Sequence, residues 1–161
     1  MIVWQKHFSI GTERSERFPV SQLSVENGLK ETRLFQLKKS EPEEQLLLII
    51  NKQILSLVTF LNVSRNFNEE QVMDTAEIIL EEYDDFSFTA IMDCFHRIKT
   101  AKHPFDKKLY EGIDGRKLLE MFNIYRGVQT EHLEEKHQET KSNAGNVLKQ
   151  AMMVSPDDFE D

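Results

Sequence analysis

With a single cysteine, Cys94, the chain cannot close an internal disulfide, and a reducing compartment is the simplest setting. Glycine and proline are scarce, at six and four residues. The start, Met1-Ile2-Val3-Trp4-Gln5-Lys6, has neither the apolar run nor the small-residue cleavage site of a signal peptide, so no export is expected. The longest apolar stretch, residues 46–61, is interrupted by Asn51, Lys52, Gln53, Ser56 and Thr59. Read as sequence, it is too short and too polar to span a bilayer, and no membrane partner is expected. There is no Gly-rich phosphate loop: Gly112-Ile113-Asp114-Gly115 lacks both a preceding strand and a Lys-Ser/Thr pair. Internal repeats and low-complexity runs are also missing.

What is present is uneven along the chain. The 161 residues suit one domain with appended ends, and their 39% hydrophobic content is concentrated in residues 41–126. Residues 1–40 carry seven basic against four acidic side chains, residues 41–126 carry ten against sixteen, and residues 127–161 carry three against eight. A net charge of −8 argues against a general nucleic-acid coat, whose affinity comes from neutralising phosphates. It leaves room for a local basic patch.

The periodicity predicts a mainly α fold: a compact four-helix domain with an irregular or short-strand N-terminal arm and a polar C-terminal tail. Residues 1–40 form the arm, 41–127 the helical domain, and 128–161 an acidic helical extension and flexible tail. Residues 1–10 suit a short strand, separated from the next segment by Pro19 and Asn27-Gly28. Leu29, Leu34, Phe35 and Leu37 suit either a short helix or a docking arm. The first clear helix runs from Pro42 to Leu61, with Ser40 as cap and Glu43 completing a capping box. The second starts at Glu69 behind Asn68 and Gln71, and the third starts at Phe88 behind Ser87. Lys102-His103-Pro104 stops the third helix. The fourth starts behind Asp114, with Leu118, Met121, Phe122 and Tyr125 on its face, and thins after Gly127. Four amphipathic stripes joined by short loops bring Ile50, Ile54, Ile79, Phe95, Leu118 and Phe122 into one cluster.

Candidate chemistry is sparse. His132 and His137 are five apart and diverge on a helix, as do Cys94 and His96, so no zinc site and no other cofactor is expected. Cys94 lies in an apolar stripe beside Phe95 and reads as a small core residue rather than a nucleophile. The acidic run Glu81-Glu82-Tyr83-Asp84-Asp85 reads as a solvated helix end as readily as paired catalytic carboxylates. No catalytic residue is expected, and the chain reads as a non-enzyme. The one charge anomaly is residues 97–117, where seven basic residues face Asp106, Glu111 and Asp114. Lys107, Lys108, Arg116 and Lys117 flank the turn before the fourth helix. They make up, with Tyr110, Asp114 and Gly115, a candidate contact for an anion or a partner at a helix N-terminus. Its bland reading is a solvated face that balances the acidic run.

Four segments carry a resemblance: Asn68 with Gln71, Ile79-Leu80 with Tyr83, Phe95 with Lys99, and Leu109-Tyr110 with Ile113-Asp114-Gly115. Across residues 62–125 the chain resembles a small-protein family encoded by phages and mobile elements of gut bacteria. The Leu-Tyr-x-x-Ile-Asp-Gly turn is the most specific match. The chain departs from the pattern at Asp84, where a second aromatic is usual. It departs again at Ala101-Lys102-His103-Pro104, which replaces a Lys-Gly-x-Tyr-Gly loop. In layout it is similar to the N-terminal domain of phage helicase loaders, a small helical domain followed by a polar arm that holds the helicase. The resemblance implies a non-enzymatic adaptor in phage or mobile-element DNA replication, at work in the cytoplasm of the bacterial host. Its partner is a protein such as a helicase, with weak nucleic-acid contact as an option. The alternative is a virion structural, cargo or host-takeover protein that binds a protein partner only.

Overall fold

The structure is a computed structural model that describes residues 20–62, 67–105 and 112–153, with side chains as far as 145. The strand expected in residues 1–10 and the break at Pro19 lie outside the described residues. Among the described residues the fold is helical, with no strand. A 3-10 turn at Val20–Gln22 precedes α1 (Val25–Lys30) and α2 (Leu34–Leu37). Four longer helices complete the chain: α3 (Glu43–Leu61), α4 (Glu69–Glu82), α5 (Phe88–Lys99) and α6 (Gly115–Met153).

Local signals account for most of the starts. Asn68 and Gln71 form a reciprocal capping box at α4, with bonds of 2.8 and 3.1 Å, and Ser87 accepts from the Ala90 N–H at the head of α5. The expected Ser40 cap of α3 is not made. Pro42 occupies the cap position, and the Ser40 hydroxyl donates to the Leu37 carbonyl, closing the turn after α2. Asn62 ends α3 in the left-handed conformation (φ 44°), where Asn is among the few tolerated residues. The helix after Ser87 ends at Lys99, and Ala101 takes a left-handed φ of 48°.

The Asn27-Gly28 pair does not break the chain; it lies inside α1. Glycine is needed there for packing. A Cβ on Gly28 would lie 3.0 Å from the Ala90 Cα, so any side chain there would push α1 and α5 apart by a few tenths of an ångström. The Ser87 hydroxyl closes the crossing by donating to the Gly28 carbonyl at 2.7 Å. Residues 33–35 then lie along the turn before α5. The Leu34 and Phe35 N–H groups donate to the Phe86 and Asp84 carbonyls, and the Arg33 guanidinium donates to the Asp85 carbonyl. Val25, Leu34 and Leu37 are buried in the same core as the longer helices, so this stretch packs into the head of the molecule.

That core contains all six residues of the expected cluster. Phe122 stands at its centre, with ring centroids 5.1 Å from Tyr83, 5.7 Å from Phe86 and 5.7 Å from Phe95. Such pairs add about 0.5–1.5 kcal/mol each beyond area burial. In α3, the residues Ile50, Ile54 and Leu57 are fully buried. By length and composition alone, this 19-residue helix does reach the range of a membrane span, with mean hydropathy 1.3 in its most apolar window. Counted from Leu46 the apolar run falls short of that range, but the helix starts three residues earlier, at Glu43.

The helical extension expected after residue 127 is present in α6, and it is longer than the thinning stripe suggested, continuing without interruption to Met153. Its buried positions end at Gln129, and beyond that only His132 is even half-buried among the described side chains. Past Lys136, which still reaches Glu26 of α1, the helix continues for roughly 25 Å.

Candidate functional site

The described part of the predicted contact site lies where the start of α6 meets α4. Asp114 caps α6 by accepting from the Lys117 N–H at 2.8 Å. Gly112 makes the preceding turn with a φ of 143°, open only to glycine. Gly115 is pressed against α4: a Cβ there would lie 2.6 Å from the Thr75 hydroxyl, which itself donates to the Gln71 carbonyl. The Asp-Gly pair read as a turn signal is therefore also a helix-packing device. The predicted site residues Lys107, Lys108 and Tyr110 lie outside the described residues.

Among the described residues, the basic side chains of the 97–117 segment do not converge. The Lys117 ammonium folds back onto the Gly112 carbonyl at 3.0 Å. Arg97 donates to Asp93 at 2.8 Å, and Lys99 donates to Ser56 while standing 5.6 Å over the Phe60 ring. Arg116 alone of the five described basic residues faces the cleft between α4 and α6. That cleft has a volume of about 720 Å³, and Asp74 and Ile78 of α4 oppose Leu119 and Glu120 of α6 across it.

The acidic run is largely built into the fold. Asp85 accepts from Arg126 at 2.8 Å, and Asp84 lies 4.0 Å from Lys38. The Arg126 guanidinium also covers the Tyr83 ring at 4.7 Å. Tyr83 in turn donates its hydroxyl to α6, at the Leu119 carbonyl and Asn123. Burial, the largest effect, pushes the Tyr83 phenol above its usual range.

A buried polar seam between α5 and α6 is not evident from the sequence. Asp93, only 2% exposed, accepts from both Arg97 and the Tyr125 hydroxyl at 2.8 Å. Burial first, and the Asp93 charge second, raise the Tyr125 phenol far beyond neutral pH, so it serves as a fixed donor. The available signal was an Asp between Ile91 and Phe95 with Arg one turn later. Cys94, next along the helix, is fully buried, and desolvation pushes its thiol well above the usual range. A thiol in that state is a packing group, not a nucleophile.

At the base of the extended half of α6, Lys136 reaches Glu26 of α1 at 2.8 Å, and Lys30 shares the same oxygen at 2.7 Å. The hydrogen bond from Lys136, then that from Lys30, lowers the Glu26 carboxyl to about 2. Both partners are solvent-exposed, so the tie orients the helix more than it stabilises the head.

No family model, no curated protein and no solved structure matches the chain. The phage-family resemblance therefore rests on the quoted motifs alone.

Proposed function

We propose that this protein is a non-enzymatic adaptor of a phage or mobile element. Its packed helical head presents the second half of α6 as an arm that holds a protein partner. The observation that supports this most is the arm itself. Past Gln129 the described side chains, as far as residue 145, are exposed apart from the half-buried His132, yet the helix continues to Met153, far more helix than the Lys136–Glu26 tie to α1 needs. Its exposed residues include Leu133, 51% exposed, and the carboxylates Glu131, Glu135 and Glu139 at four-residue spacing. The layout similarity to helicase loaders favours a replicative helicase as the partner.

The test is affinity capture from host cells with the intact chain and with a chain ended after Thr130, which removes the arm. A replication protein held by the intact chain and lost by the shortened one supports the proposal. A partner held equally by both removes the arm from the mechanism. A virion protein in place of a replication protein keeps the arm and overturns the replication role.

A further inference from the structure

A second surface, independent of the arm, has a charge and shape of its own. From Glu69 to Asp85, α4 and the turn after it hold eight carboxylates and no Lys or Arg. Among the described residues, only Asp84 and Asp85 of these eight are in ion pairs. The cleft beside α4 continues this bias, since among the described residues Asp74, Asp114 and Glu120 line it against a single guanidinium, Arg116. Apolar surface is open within the acidic field as well: Ile78 on the cleft wall is 39% exposed and Met73 on the outer face is 56% exposed. Like charges this close repel one another along a helix, and an incoming cation relieves that repulsion.

We infer that the α4/α6 cleft is a docking groove for a short basic segment of a partner protein. That segment sets an apolar side chain between Ile78 and Leu119 and directs Lys or Arg toward Asp74, Asp114 and Glu120. The cleft volume of about 720 Å³ falls within the range of sites that enclose a small ligand or a few side chains. Charge complementarity selects a cationic occupant and speeds its arrival, while the apolar anchor fixes its register. A nucleic-acid backbone is disfavoured, because among the described lining residues its phosphates would meet three carboxylates for one guanidinium. A metal ion is disfavoured too: among the described residues no three His, Cys, Asp or Glu side chains gather as its ligands would.

The test uses the full chain, isotope-labelled, with a short synthetic Lys/Leu peptide and a matched peptide with Glu in place of Lys. The Lys peptide is expected to shift the amide signals of Asp74, Ile78, Arg116, Leu119 and Glu120, and the Glu peptide is expected to shift none of them. Asp74→Lys combined with Glu120→Lys should weaken Lys-peptide binding about tenfold or more at low salt. Ile78→Ser, which keeps every charge, should weaken it too and leave the melting midpoint in place. Shifts spread evenly over the acidic surface, including Glu131, Glu135 and Glu139 of the arm, would overturn the groove. So would peptide binding unchanged by Ile78→Ser, or duplex DNA displacing the peptide from the cleft. Each readout is independent of the arm, so the groove and the arm can fail separately.

Discussion

The two halves of α6 share one continuous backbone ladder and differ in what holds it. In the first half Leu118, Phe122 and Tyr125 are fully buried, and Tyr125 donates to a buried Asp93. In the second half the described side chains are exposed apart from the half-buried His132, and beyond the surface tie from Lys136 to Glu26 the helix depends on local energetics. Those energetics are poor. Glu131, Glu135 and Glu139 repeat like charges at four-residue spacing, no Glu of the arm has a Lys four residues later, and Gly145 interrupts the run. Isolated helices of this kind are marginal in water. The same secondary structure is thus a consequence of packing at one end and a stretch awaiting packing at the other.

The comparison breaks most readily at Phe122. Phe122→Ala removes the central ring of the aromatic cluster and should cost about 3–5 kcal/mol in a urea melt. A loss below about 1 kcal/mol would mean that the first half of α6 is not held by packing. Tyr125→Phe comes next, at about 1–3 kcal/mol, because Asp93 keeps Arg97 but loses its other donor. A neutral result would reduce the seam to an incidental contact.

Ala101→Gly has the opposite sign. The position is left-handed, so glycine should stabilise the head by about 0.5–1 kcal/mol, read as a higher denaturation midpoint. Ending the chain after Lys141 should change the stability of the head by less than about 0.5 kcal/mol while lowering the helical circular-dichroism signal. Cooperative loss of the head on this truncation would erase the distinction between the halves. The smallest effect is at the base of the arm. Lys136→Met should return the Glu26 carboxyl part of the way from about 2 toward its ordinary 4.5, seen by carbon NMR titration. Because its folded pKa is depressed, the contribution of Glu26 is present above 4.5 and is lost as pH falls toward 2.

The head was legible in the sequence where a physical rule acts over a few residues. The Asn68/Gln71 box, the Ser87 cap, the Asp114 cap and the stripes of α3 to α6 all obey such rules, and they hold in the structure. What failed depended on contacts outside the local rule that predicted each feature. Gly28 reads as a breaker until Ala90 is seen against it, 62 positions on. Ser40 reads as a cap until the end of α2 is seen to take its hydroxyl. The length of the arm was not legible, because thinning of an apolar stripe marks the end of burial, which need not be the end of the helix. At the candidate site, the Asp114–Lys117 segment was legible as a helix start. The facing carboxylate of Asp74 was not, because only the crossing of α4 and α6 brings it there.

The division between head and arm is tested most directly by amide hydrogen exchange along α6. Residues 118–129 should exchange only through global unfolding, while residues 133–150 should exchange orders of magnitude faster in the free protein. Equal protection in both halves of the free monomer would contradict the account, since it would require the arm to be held by something other than a partner.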